Sequence, residues 1–390
     1  MSEGQMKISD IIQPQIEKNV PRGALLEYRI QRLFFAMGYY SKTGIVVKTG
    51  QDPNSDVITD LDVYGTYIHK NFTSRRIWAD CKSGKAKPLE RISWLKGVRS
   101  TIKIDDVIFV KSGVRTATKQ FAHKSGIMVL DEKMISKLEQ DFEVDTNDWS
   151  GPWNPLLQQN MIKKLREIDK QKNGICARTG NYISSAYWCL DEYARVKKCI
   201  TAIRQLSEFE QICQSEQNKK IVKWAVLQLI PMFTLATLNI CRDLYFLSDA
   251  EKKDIVWNSL ISSEIPVNKR TEIVNATYRI AVGIFQQQYP AVQIPQLDSS
   301  IGLVPPSYFD KYYDLILRIT GNPNHFFDVL RFLDYSLQEY ALNDSTMDIS
   351  IMKKRIPNFE SARIGFKTLL YFIRDTCAVP THFFDSVLKI

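Results

Sequence analysis

Within RIWADCKSG (residues 76–84) an acid and a base, Asp80 and Lys82, stand two positions apart in a segment whose other members suit a half-buried β-strand. Side chains alternate faces along a strand, so Asp80 and Lys82 point the same way, roughly 7 Å apart along the chain. Trp78 shares their face, and Ile77, Ala79 and Cys81 take the other. In the preceding strand-like segment Leu61 and Val63 are expected on one face, with Asp60, Asp62 and Tyr64 on the opposite one. A hairpin of the two segments puts Asp62 beside Asp80, with Lys82 just beyond. Two carboxylates held close repel each other unless a cation sits between them. Mg²⁺ meets that need, because hard cations take oxygen ligands and keep waters for substrate. A lysine beside such an ion can position an attacking water and offset charge developing on a phosphate. Phosphodiester hydrolysis is therefore the expected chemistry. Acyl transfer is not, since no Ser-His or Cys-His arrangement accompanies the acids.

The spacing by itself is weak, because [Asp/Glu]-x-Lys occurs three times in the chain. Asp131-Glu132-Lys133 follows the strand-like IMVLD and reads as the cap of a following helix. Glu251-Lys252-Lys253 opens a polar helical segment and reads as a solvated face. Only Asp80-Cys81-Lys82 is embedded in a strand, where unpaired charge is costly. A structural ion pair of the acids with Lys82 or a nearby arginine is the competing reading of the same residues.

The elements that must position these groups follow from hydrophobic period. ALLEYRIQRLFFAMGYY predicts a helix over 24–40. GIVVKTG (44–50), VITDLDVYGTYIH (57–69) and RIWADCKSG predict strands, and Pro88 opens a helix over LERISWLKGVRSTI. DVIFVKSG (106–113) and IMVLD (127–131) read as buried strands on either side of a short helix, RTATKQFAHKSG. The order α-β-β-β-α-β-α-β predicts an α/β fold, a mixed β-sheet flanked by helices. From Asp141 to Pro155 the composition turns acidic and then rich in Gly, Pro and Trp, the mark of a boundary or docking linker. Beyond it strand signals nearly vanish. NMIKKLREIDKQ, SAYWCLDEYARVKKCITAIRQL, SYFDKYYDLILRI and HFFDVLRFLDYSLQEYAL carry helical period, so residues 156–390 are expected to be all-α.

Composition narrows the partners. The net charge of +9 is uneven: +9 over residues 1–130, −5 over 131–150 and +5 over the rest. A polyanion is attracted to the first third. Seven cysteines without a C-x-x-C pair, and four histidines that do not cluster with them, argue against structural zinc. The start MSEGQMKISD has no apolar signal core, so reduced thiols and a cytoplasmic chain are expected. Trp224–Cys241 is free of charge, but its polar residues and Pro231 predict a buried, kinked core helix rather than a membrane span. There is no GxxxxGK[ST] loop and hence no nucleotide cofactor is expected.

Glu27 on the first helix, Asp62 in ITDLDVYG, and Asp80 with Lys82 in IWADCKSGKAK together resemble the restriction-endonuclease-like, PD-(D/E)xK, nuclease superfamily. The later segments LERISWLKGV, DVIFVKSG and RTATKQFAHKSGIMVLDE are similar to its Mrr-like branch. The resemblance covers about residues 20–135. It implies a nuclease domain over 1–140, a linker over 141–155 and a helical domain over 156–390 for recognition, assembly or regulation. It also implies that Asp62, Asp80 and the Cys81 backbone carbonyl ligate Mg²⁺, or Mn²⁺ in its place. Lys82 would orient or activate the water, and Glu27 would help hold the metal or that water. Lys85 and Lys87 would contact phosphates of bound nucleic acid. Thr59-Asp60 stands where the pattern has proline, and Asp60 competes with Asp62 for the metal role. The implied activity is DNA cleavage, in restriction or defence against foreign DNA, by a homodimer or higher oligomer. A non-catalytic scaffold on the same fold, or action on RNA or branched DNA, are the alternatives. His123 is expected exposed, and Arg318 and His325 are expected to bracket a turn.

Overall fold

The computed structural model describes residues 20–50, 55–148, 150–263, 267–290, 292, 304–343, 349–385 and 387–388. The first helix, α1 (Arg22–Ala36), is shorter than its apolar period suggests. Gly38, at φ +99°, stops it, and the N–H groups of Gly38 and Tyr39 bond back to the Phe35 and Phe34 carbonyls. Glycine enters this left-handed region without a Cβ clash. Tyr40, expected in the helix, instead opens β1 (Tyr40–Lys48).

Next come β2 (Val57–Ile68), β3 (Ser74–Cys81), α2 (Pro88–Thr101), β4 (Asp106–Val110), α3 (Thr116–Lys124), β5 (Ile127–Leu130) and α4 (Glu132–Asp141). Pro88 opens α2 as expected. The Asp131 side chain caps α4 by accepting from the Met134 N–H, also as expected. The five strands stand in the order β1-β2-β3-β4-β5. The first three pair antiparallel, and β3, β4 and β5 pair parallel. Ile30 and Phe34 of α1 and Ile135 of α4 cover one face over Val63, Ile77 and Ala79. Ile92 and Leu95 of α2 and Ala122 of α3 cover the other over Tyr64, Trp78 and Phe109. The sheet is thus mixed and flanked by helices.

Two details of the sheet differ from the alternation argument. Leu61 joins Tyr64 and Trp78, while Val63 joins the opposite cluster. Gly44, at φ +64°, lies between the pairs Thr43↔Val63 and Ile45↔Leu61. Also, β5 is an edge strand with a single neighbour, so it is only partly covered, and Met128 is exposed rather than buried.

The remainder of the described chain is helical: α5 (Pro155–Ile168), α6 (Ile175–Ser184), α7 (Glu192–Ile212), α8 (Glu216–Leu244), α9 (Asp249–Ser262) and α10 (Val267–Gln288). It continues with α11 (Phe309–Gly321), α12 (Pro323–Phe326), α13 (Val329–Asn343), α14 (Ile349–Arg355) and α15 (Phe359–Cys377). SAYWCLDEYARV is not one helix. A tight turn at Ala186–Cys189 precedes Asp191, whose carboxylate caps α7 at the Ala194 N–H. HFFDVL likewise breaks between α12 and α13. The apolar α8, with Pro231 inside it, is long enough to cross a bilayer, yet its apolar stretch is buried within the fold.

One hydrophobic cluster joins the sheet half to these helices, running from Phe35, Tyr40, Ile68 and Phe72 through Trp153 to α8 and α13. Trp153 meets Phe35 edge-on at 5.0 Å. Lys42 of β1 makes a buried ion pair with Asp334 of α13 at 2.5 Å, and Arg331 donates to the Phe35 carbonyl at 2.9 Å.

Candidate functional site

The site forms where β2 and β3 part. Their pairing runs from Ile68↔Ser74 to Val63↔Ala79. One step further the Cys81 N–H bonds to the Asp62 carboxylate at 2.7 Å. On its other side β3 stays paired to β4, with Cys81 opposite Val110 and the Lys82 N–H on the Val110 carbonyl. This is the carboxyl end of a parallel strand pair, where open α/β sheets place their ligands.

Three oxygens converge here on one cationic centre. The Lys82 ammonium lies 2.8 Å from Asp62 Oδ2, 2.9 Å from Asp80 Oδ1 and 3.3 Å from the Cys81 carbonyl. Asp80 is wholly buried. Its carboxylate is also gripped by Arg91 of α2, with Nε to Oδ2 at 2.9 Å and Nη2 to Oδ1 at 2.5 Å. The Arg91 guanidinium lies flat over the Trp94 ring at 3.8 Å. Two carboxylates held by two cations explain how charge is tolerated in the strand.

Burial shapes the electrostatics. It is the largest influence on Glu27, a half-buried residue of α1, and with the nearby Asp62 charge it lifts the carboxyl from its ordinary 4.5 to about 7 against the pull of Lys82. Burial also raises Asp62, although its bonds from Lys82 and the Cys81 N–H oppose that. Burial works against the Lys82 ammonium, but its bonds to Asp62 and Asp80 outweigh it and hold the group protonated. The two partners of this ion pair thus pull in different senses. At 2.8 Å with a second carboxylate alongside, the charged pair is the state the geometry supports. The Cys81 thiol is buried and pushed well up, which makes it unreactive.

The oxygens fit a hard cation, with the ammonium nitrogen standing where such an ion's ligands converge. Among the described residues no group of three or more His, Cys, Asp or Glu side chains is placed to hold a metal. The third oxygen here is a backbone carbonyl, and Glu27 reaches the group through its field on Asp62 and Lys82. Of the expected site residues, Asp62, Asp80, Lys82 and the Cys81 carbonyl come together, while Glu27 of α1 acts on Asp62 and Lys82 through its charge without bonding to them. Asp60 is exposed, away from the Lys82 contacts. Lys85 and Lys87 are exposed in the loop beyond, and Lys87 pairs with Glu90 at 2.9 Å. His123 is exposed, and Arg318 and His325 fall on α11 and α12, either side of a turn.

Arg91 is the nearby arginine of the ion-pair reading, which sequence alone did not single out. Nor did it single out a groove of about 710 Å³ along α1 and the ends of β3, β4 and β5, lined by Arg22, Arg29, Lys82, Ser83, Lys111 and Ser112. Arg29 in that wall is neutralised by Glu139 at 2.6 Å and by Glu132. On the opposite side of α1 a cavity of about 230 Å³ lies between Glu27, Gln31 and Lys42 of the sheet half and Ser184, Trp188 and Trp224 of the helical half. No family model, curated protein or solved structure matches the chain.

Proposed function

We propose that this chain is a Mg²⁺-dependent endonuclease of the restriction-endonuclease-like type that hydrolyses phosphodiester bonds in DNA, with a role in restriction or defence against foreign DNA. Cutting both strands of a duplex calls for two such sites, hence a homodimer. The observation that carries the reading is the meeting of Asp62, Asp80 and Lys82, from two neighbouring strands, at the carboxyl end of a parallel strand pair. Asp62, Asp80 and the Cys81 carbonyl would hold the metal, which supplies charge neutralisation at the phosphate and a more acidic water. Lys82 sits on the groove wall, where its ammonium can bind a phosphate oxygen once it leaves the carboxylates. Glu27, titrating near 7, can hold a proton of the attacking water. Arg91 bonds both Asp80 oxygens, so a metal that takes them must displace its guanidinium.

A second reading has its own support. Lys82 and Arg91 together satisfy both oxygens of Asp80, as a purely structural ion network would. On that reading the chain is a non-catalytic nucleic-acid-binding scaffold. One experiment separates the two. Plasmid DNA, single-stranded DNA and RNA are incubated with the protein in Mg²⁺, Mn²⁺ or EDTA, beside Asp80→Ala and Lys82→Ala. Nicking that needs metal and disappears in both variants supports the nuclease. Binding without cleavage of any substrate in either metal supports the scaffold.

A further inference from the structure

The helical half carries a second basic cleft, of about 1000 Å³, at the far end of β1 from Tyr40. Four cationic residues line it from four elements: Lys48 of β1, Arg166 of α5, Arg178 of α6 and Lys198 of α7. Among the described residues that line it there is no Asp or Glu. Arg178 and Lys198 are exposed on its rim. Arg166 lies deeper, donating to Ser184 Oγ at 2.5 Å and to the Gly180 carbonyl at 3.4 Å, with its Nε unpartnered. A Cβ on Gly180 would stand 2.6 Å from Arg166 Cγ, so glycine is what lets the arginine lie along α6. Burial lowers the Arg166 pKa with no carboxylate to offset it. Two hydroxyls in the same wall, Thr179 Oγ1 and Ser185 Oγ, are buried and unpartnered, and Thr179 is 2% exposed. A half-buried guanidinium without a counter-ion, in a wall with orphaned hydroxyls, is costly unless an anion joins it. Phosphate oxygens satisfy both kinds of donor.

We propose that this cleft binds the sugar–phosphate backbone of a nucleic-acid strand and so extends the substrate path from the carboxylate cluster onto the helical half. Ser184 lines both this cleft and the cavity that begins at Glu27, so the two spaces adjoin. The ligand assignment rests on the nucleic-acid reading above, though not on cleavage. Four cations drawn from β1, α5, α6 and α7 suit a run of phosphates better than a single one.

The test is fluorescence-anisotropy titration of labelled single-stranded and duplex DNA in EDTA, so that cleavage plays no part. Arg178→Glu combined with Lys198→Glu changes only exposed positions and spares the fold. The expected result is at least a tenfold loss of affinity and a salt-dependence slope smaller by about 1.8 on duplex and about 1.4 on single strands, since each lost phosphate contact removes about 0.9 or about 0.7. Lys253→Glu with Lys311→Glu, exposed elsewhere on the helical half, is the control and should stay within twofold of the parent. Unchanged affinity and slope in the first pair overturn the proposal. So does tight binding of a nucleoside triphosphate or inorganic phosphate that the first pair abolishes while DNA binding persists. A protein that binds through this cleft but never cuts overturns the nuclease reading alone.

Discussion

Arg91 offers the sharpest test of what the carboxylate cluster is for, because it competes with any metal for the same oxygens. Its two bonds to Asp80 are short, Asp80 has no solvent exposure, and α2 holds the guanidinium against Trp94. Arg91→Met keeps the stem over the indole but removes the fork. Breaking one side of a buried ion pair costs about 3–5 kcal/mol. Lys82 still neutralises Asp80 Oδ1, which places the expected loss near the lower end, about 3 kcal/mol. For a chain of this size that is a fall in Tm of about 4 °C in EDTA. Mg²⁺ should then act in the opposite sense. In the parent it must displace a bidentate guanidinium, whereas in the variant Asp80 Oδ2 is released, so metal binds more tightly. Binding at 100 times Kd adds about 2.7 kcal/mol, enough to restore most of the loss. Thermal unfolding of both proteins in EDTA and in 10 mM Mg²⁺ measures it. If the variant melts with the parent in EDTA, the Asp80–Arg91 pair carries no load. If Mg²⁺ leaves the variant's Tm unmoved, the oxygens are not a metal site and the scaffold reading gains.

Two further outcomes follow from groups whose surroundings are equally specific. Glu27 has its folded pKa raised to about 7, so its neutral form is favoured on folding. The stability this supplies is present below 4.5 and is lost as pH climbs through 7. Glu27→Gln should match the parent at pH 4 and exceed it by about 2 kcal/mol at pH 8.5, the full effect being reduced for partial exposure; equal denaturation midpoints at the two pH values would overturn the assignment. Lys42 and Asp334, both buried, tie β1 to α13. Lys42→Met should cost about 3–5 kcal/mol by leaving Asp334 alone in the core, while Lys42→Met with Asp334→Leu should return to within about 1 kcal/mol of the parent. A double variant as unstable as the single one would show that the pair is not the source of the loss.

Local features of the sheet half were readable because each rests on neighbours in sequence. Alternation along RIWADCKSG placed Asp80, and the order of strands placed Asp62 beside Lys82. Pro88 fixed the start of α2. The stop of α1 was legible in FAMGYY and was overrun, because the apolar period continues past Gly38 although its backbone cannot. The turn of Leu61 away from Val63 was not legible, since strict alternation puts the two on one face. Arg91 had a faint signal. It lies one turn into α2 beside the buried Ile92, so the helix start sets its direction toward the sheet, but only the parallel packing of that sheet puts Asp80 there.

Charge was the feature least readable from composition, and the reason bears on function. The basic excess of residues 1–130 suggested that the whole first third attracts polyanions. Much of it is committed instead: Arg29 to Glu132 and Glu139, Arg75 to Asp106, Lys42 to Asp334, Arg91 to Asp80. The acidic run 131–150 serves partly as their counterpart and partly as a seam to the helical half, where Glu143 meets Lys354 and Asp148 meets Arg355. Paired charges exert little field at a distance. What remains to attract a strand is therefore set by the fold, at the Lys111–Arg22 groove and at the Arg166 cleft. The cleft gathers positions 166, 178 and 198, whose separation hides them from any linear count of charge. A nucleic acid that reached the carboxylates across the helical half would cross the Arg166 cleft, so Arg178→Glu with Lys198→Glu, read against the salt slope, tests that path independently of whether the site cuts.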